Sequence, residues 1–177
     1  MPSHKTIRWR PLDESGLQHL ELTISRDVVT ARSAIIGARA GWFYEMTLAP
    51  DWTFRHIAIT RTDGAWWTLT VDGKGNWRDD KGLRPDLEGC IDIDLSGSPF
   101  TNTLPIRRVP LEIGVPQNFT MAWISLDALT VKPHRQIYTA LGGNRYRYEN
   151  GDGSFSAELV VDDDGLVLDY PTLFARV

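Results

Sequence analysis

Cysteine is almost absent: the 177 residues contain one, Cys90. An intramolecular disulfide is therefore excluded, and with it the stapled scaffold of many small secreted domains. Cys90 sits in an alternating apolar run and reads as a small buried hydrophobe rather than a nucleophile. Long apolar runs are missing too. No segment approaches the roughly 20 apolar residues of a membrane-spanning helix. The opening "MPSHKTIRWRPLDESG" offers no apolar stretch of the kind a signal peptide uses. A cytoplasmic protein with no transmembrane segment is expected. Basic charge is not concentrated: 19 Lys and Arg face 23 Asp and Glu, for a net charge of −4. A nucleic-acid partner is not expected, because backbone binding needs a clustered basic face.

Catalytic signatures are equally scarce. His4, His19, His56 and His134 do not pair at metal-ligand spacing. There is no Gly-x-Ser-x-Gly elbow, phosphate loop or dinucleotide fingerprint. No metal and no cofactor is expected. "GDGSFS" and "VDDDGL" combine glycine with acid, but they suit hairpin turns better than calcium loops. Sustained helical periodicity is missing as well. "LDESGLQHLEL" and "SLDALTVKPHRQ" have room for a short turn each, and Gly16 and Pro133 interrupt them.

What is present is a period of two. In "GWFYEMTLA", Trp42, Tyr44, Met46 and Leu48 share a face. In "AWWTLTVD", Trp67, Leu69 and Val71 oppose Trp66, Thr68 and Thr70. "FTMAWISLD", "FSAELVVD" and "GLVLDYP" alternate likewise, the first with both faces rather apolar. Asp-Gly and Asn-Gly pairs in "TDGA", "DGKGN" and "ENGDGS" supply the positive φ of tight hairpin turns. Hairpins make neighbouring strands antiparallel. No linker or composition shift divides the chain, so residues 1–177 are expected to form one all-β domain. A large antiparallel sheet must twist and curl or split. Aromatics on both faces, such as Trp42 with Phe43 and Trp66 with Trp67, suggest a sheet rolled around an apolar interior.

The stretch "GCIDIDLSGSPFTNTLPIRR", residues 89–108, concentrates the chemistry. Ile91, Ile93 and Leu95 point one way; Cys90, Asp92 and Asp94 point the other. Beyond the bend "IRRVPLEIG" alternates again, which puts Arg107 on the apolar set and Arg108 on the opposite face. A half-buried guanidinium needs a carboxylate or an anionic ligand. Three readings stand open. The first is a structural corner, with Asp92 or Asp94 paired to Arg107 or Arg108. The second is a binding site in which Asp94, Asn102, Arg107 and Arg108 hold a phosphate or sugar head group. The third is a catalytic or metal-binding pair, Asp92 and Asp94, in a hydrolase. Seven tryptophans suit an amphipathic cavity, each offering a large apolar face and one polar handle. Trp42, Trp67 and Trp77 are the candidates for its lining.

Several segments carry a resemblance: "LEGCIDIDLSGSPFTNTLPIRR", "GKGNW", "QIYTAL", the ending "DDDGLVLDYPTLFARV", the early Trp9 and the strand "ARSAIIG". Together they resemble the putative glycolipid-binding family of bacterial proteins over nearly the whole chain. The resemblance implies a spiral β-roll, a long antiparallel sheet coiled around an apolar interior, similar to periplasmic lipoprotein carriers. It implies no catalytic residues. The resulting expectation is passive binding of a glycolipid or other amphipathic small molecule. A hydrolase and a protein-interaction module are the alternatives.

Overall fold

The computed structural model describes all of residues 1–177. Fifteen strands follow the hairpin signals closely: β1 (Ser3–Pro11), β2 (Leu17–Ile24), β3 (Val29–Ile36), β4 (Gly41–Leu48), β5 (Phe54–Arg61), β6 (Trp66–Val71), β7 (Trp77–Asp79), β8 (Gly82–Leu83), β9 (Asp92–Leu95), β10 (Gln117–Ser125), β11 (Thr130–Gly142), β12 (Arg145–Asn150), β13 (Ser156–Val161), β14 (Val167–Tyr170) and β15 (Phe174–Arg176). One helix, α1 (Thr103–Arg108), and two short 3₁₀ turns complete the chain. No helix is long and apolar enough to cross a membrane.

All the strands form one open sheet in the order β8-β7-β6-β5-β4-β3-β2-β1-β15-β14-β13-β12-β11-β10-β9. Strand β1 lies mid-sheet; the first half meanders out to one edge and the second half returns from the other. This order forces the sheet to roll. Laid flat, 15 strands at about 4.8 Å spacing would hold the edges about 67 Å apart. Yet the edge strands β8 and β9 are joined by residues 84–91, which reach about 32 Å at full extension. Two side-chain bonds secure the seam. The Trp77 indole donates to the Cys90 carbonyl at 3.3 Å, and Arg84 donates to the Val131 carbonyl at 3.0 Å.

One pair departs from the expected antiparallel pattern. β9 and β10 run parallel, with Met121 beside Asp92 and Trp123 beside Asp94. Parallel neighbours need a crossover, and residues 96–116 provide it. The run read above as the strand "IRRVPLEIG" is therefore part of this crossover. Its first residues lie in the helix Thr103–Arg108, and the rest forms no strand, only a bridge at Ile113 followed by a turn at Gly114. A six-residue helix is too short to show a 3.6 period, so its residues mimic alternation. Pro105 is tolerated because a helix's first turn has no intrahelical use for its N–H groups.

The roll encloses two apolar clusters. The larger packs the inner face of β1–β7 (Trp9, Leu20, Tyr44, Phe54, Ile57, Leu69) against Ile93, Leu95, Ala122 and Ile124 of β9 and β10. The smaller holds Phe119, Met121, Tyr138, Tyr148, Leu159, Val161, Val167 and Tyr170, with Ile106 and Val109 packed on it. Strand β10 thus feeds both clusters from opposite faces, which is why "FTMAWISLD" is apolar on both. The outer face of the first half is not covered. Phe43 and Trp66 are about half or more exposed, at 49% and 62%, while their neighbours Trp42 and Trp67 are buried.

Candidate functional site

The two clusters do not close completely on each other. Between them lies a half-open cavity of about 550 Å³. Its apolar wall includes Leu17, Ile35, Trp42, Leu126, Phe155 and Phe174. Asp94, Asn102, Gln18 and Ser98 supply polar groups, as do Tyr148, Asn150 and Tyr170. Asp13 and Glu14 from the β1–β2 turn and Asp127 from the β10–β11 turn complete the lining. Trp42 is fixed in the wall by its indole, which donates to the Leu126 carbonyl at 3.0 Å.

Asp94 is the deepest charged group of the cavity. One carboxylate oxygen accepts from the Gln136 amide at 2.6 Å, the other from the Thr101 hydroxyl at 3.1 Å. Both donors are neutral, and no Lys or Arg pairs with it. Burial pushes its carboxyl above the usual carboxylate range, against the lowering effect of these two hydrogen bonds. Asp94 is half-buried and lines the cavity. Nearby, Asn102 donates to the Tyr138 hydroxyl at 2.8 Å, and the Tyr148 hydroxyl donates to Asn150 at 2.8 Å. Burial also raises Tyr148 and Tyr170, so both phenols keep their protons.

Gln18 is almost fully buried. Its amide nitrogen lies 3.0 Å from Ser33 Oγ, 3.1 Å from Tyr44 OH and 2.8 Å from Ser98 Oγ, while its Oε1 has no partner. Gln136 Oε1, behind Asp94, is also without one. Buried acceptors in this state are unusual in native proteins.

The seven candidates read from the sequence divide in two. Asp94, Asn102 and Trp42 come together in the cavity lining. Arg107, Arg108, Trp67 and Trp77 lie elsewhere. Trp77 is buried against Phe54, with ring centroids 5.6 Å apart. Trp67 lines a smaller cavity of about 310 Å³ beside Arg84 and Asp79. The burial expected for Arg107 belongs instead to the ion pair of Arg108. Both Arg108 Nε and a terminal nitrogen donate to one oxygen of the wholly buried Asp92, at 3.1 and 2.7 Å. Arg107 lies over the Trp52 ring, 4.8 Å from its centroid, and donates to the Asp164 carbonyl at 3.1 Å. The reason is the helix: consecutive residues on α1 diverge by about 100° rather than by the 180° of a strand. Asp92 does not line the cavity, so the two aspartates share no open site.

Sequence reasoning missed Gln18, Gln136, Trp123, Tyr148, Tyr170 and the acidic group Asp13, Glu14 and Asp127. "RYRYEN" does alternate, and its aromatic face was readable. Which face meets a cavity depends on the roll, and strand order leaves no mark in local periodicity.

Comparison with known proteins agrees with this architecture. The profile of the family described as "Putative glycolipid-binding" matches residues 6–176. A crystal structure of a DUF1089 family protein from Pseudomonas aeruginosa, at 1.80 Å resolution, is 36% identical. The match covers 90% of this chain and 92% of that one, with a TM-score of 0.76. No protein of curated function matches the chain.

Proposed function

This chain belongs to the putative glycolipid-binding family, and from that premise we propose that it binds an amphipathic small molecule, a glycolipid or a relative of one, in the cavity beside Asp94. The observation that carries the reading is the cavity's two-sided chemistry: an apolar wall beside a cluster of deep polar side chains. The mechanism is passive. An alkyl chain lies along Leu17, Ile35, Trp42, Leu126 and Phe155, and the head group meets Asp94, Asn102 and Gln18.

Energetics make both halves necessary. Ten buried methylenes contribute roughly 8 kcal/mol, against an association cost of at least about 4 kcal/mol. The balance corresponds to an affinity of about 1 mM. Useful affinity therefore depends on hydrogen bonds to the head group. A volume of about 550 Å³ lies within the ordinary range for small-molecule sites.

Two measurements test the reading. Native mass spectrometry of protein purified without detergent is expected to show a co-purifying amphiphile. Tryptophan fluorescence is expected to change saturably with octyl glucoside, and the Trp42→Phe variant to lose much of the change. If no lipid co-purifies, and alkyl glycosides leave the fluorescence unaltered up to their solubility limits, the reading fails.

A further inference from the structure

The charges around the cavity are all of one sign. Among its 25 lining residues are Asp13, Glu14, Asp94 and Asp127, and no Lys, Arg or His. The nearest basic side chains in the bonding network are already engaged. Arg61 reaches the Asp127 backbone carbonyl while its guanidinium pairs with Asp63 at 2.8 Å. His134 lies behind Gln136, its Nδ1 3.3 Å from the amide. The arginines of the crossover are held by Asp92, Asp164 and Trp52. Lys132 Nζ stands 5.2 Å from the ring centroid of the lining residue Trp123 but is not itself part of the lining. A phosphate, sulfate or carboxylate head group entering here would meet carboxylates, with no cation in the lining to pair with.

We propose that the head group taken up by this cavity carries an amine, as an alkyl or acyl chain ending in an ammonium or an amino sugar does. This rests on the amphiphile reading given above and narrows its ligand class. Three observations converge on it. First, Asp94 is a deep carboxyl served only by the neutral donors Gln136 and Thr101. A carboxylate in such surroundings is costly unless a cation joins it, and an ammonium would form a charge-assisted bond there. Second, Gln18 lines the cavity, is 1% exposed, and has an amide oxygen without a donor. A protonated amine is a donor only, so it suits an unused acceptor. Third, the rings of Tyr148, Phe155 and Tyr170 share the lining, and aromatic faces attract cations. The neutral hydroxyls of a sugar use the acceptors but not the charge.

The test uses three probes with one alkyl chain, each below its micelle concentration: octyl 2-amino-2-deoxy-β-D-glucopyranoside, octyl β-D-glucopyranoside and octyl phosphate. Binding is measured by calorimetry on the whole chain. The amino glycoside is expected to bind at least about tenfold more tightly than the neutral one, and the phosphate weakest of the three. Added salt should erode the amine preference. Asp94→Asn should bring the two glycosides within about threefold of each other. If Asp94→Asn does not fold, the double variant Glu14→Gln/Asp127→Asn decides, and it should lower the preference and its salt dependence. Equal binding of the two glycosides, or phosphate binding as tight as the amine's, overturns the amine inference and leaves the amphiphile reading standing. A preference unchanged in both Asp94→Asn and the double variant overturns it too, since the selectivity would then lie outside this cavity. If none of the probes binds, the amphiphile reading falls and the inference with it.

Discussion

Replacing Arg108 by methionine removes the only cation that faces Asp92. Asp92 is wholly buried, one of its oxygens takes both bonds from Arg108, and the other has no partner. Breaking one side of such a pair typically costs about 3–5 kcal/mol, because a buried charge is left uncompensated. The Arg108 side chain is 21% exposed, so solvent already screens part of the interaction. The lower end, about 3 kcal/mol, is expected at pH 8. For a chain of this size that is a fall in Tm of on the order of 6–12 °C. Burial, together with the charge of Asp51, lifts the Asp92 carboxyl above its usual range, and Arg108 opposes the lift. A carboxyl raised in the folded state favours folding below its unfolded pKa and loses that contribution as pH rises through the folded value. Without Arg108 the folded value rises further, so the difference between variant and wild type must grow with pH. It should be smaller at pH 5 than at pH 8. Asp92→Leu combined with Arg108→Met should recover most of the loss, because a hydrophobic replacement removes the stranded charge. Urea denaturation of the three proteins at both pH values measures all of this. Arg107→Met serves as the comparison. It removes a partly exposed stacking contact with Trp52 and a 3.7 Å approach to Asp164, and should cost under about 1 kcal/mol. Equal small losses for Arg107→Met and Arg108→Met, or an Arg108→Met loss independent of pH, would refute the reasoning.

Other expectations are simpler to check. Burial, with a smaller effect of the Asp86 charge, pushes the Cys90 thiol up to about 11, so it should resist a disulfide reagent at pH 8 until urea is added; stoichiometric reaction of the native protein would contradict this. A Cβ at Gly151 would stand 2.5 Å from Arg135 Cβ and 2.9 Å from its carbonyl oxygen. Gly151→Ala should therefore lower stability by about 1–3 kcal/mol, whereas Gly73→Ala, with open space around it, should stay within about 0.5 kcal/mol in the same urea titration. Far-UV circular dichroism should be dominated by strand, since α1 and the two 3₁₀ turns are the only helical segments.

The strands were legible because each carries its own evidence. "WWTLTV" alternates, "TDGA" before it turns, and β6 lies between residues 66 and 71 as that pattern requires. The closing leap was not legible. Nothing in "KGLRPDLEGC" says that it carries the chain from one edge of a 15-strand sheet to the other. The parallel pair was hidden for the same reason. β9 shows the same alternation whichever way its neighbour runs, and its partner lies beyond a 21-residue connection, residues 96–116. Tryptophan number was informative and tryptophan role was not. Trp42, Trp67 and Trp77 are all buried on strands, yet only Trp42 reaches the larger cavity.

The crossover also explains why a corner and a binding site looked like competing readings of one stretch. Asp92 and Asp94 lie two apart on β9 and share a face, so the sequence treats them alike. The chain that returns across that face does not. α1 brings Arg108 over Asp92 and seals it. The 3₁₀ turn Pro99–Asn102 arrives over Asp94 with only Thr101 to offer, and Asn102 turns to Tyr138 instead. One aspartate is therefore closed off with its charge matched, and the next is left facing a cavity with its charge unmatched. Because the connection binds Asp92 firmly, it can hold the residues around Asp94 in place without filling the space in front of them. An unmatched carboxyl is tolerable in a folded protein when burial keeps it protonated or when a ligand completes it. The stability measurements on Arg108 and the binding measurements on Asp94 consequently probe two ends of the same strand. Their outcomes should separate: Arg108→Met should weaken folding with little change in which head group is preferred, and Asp94→Asn should change that preference with a smaller effect on folding.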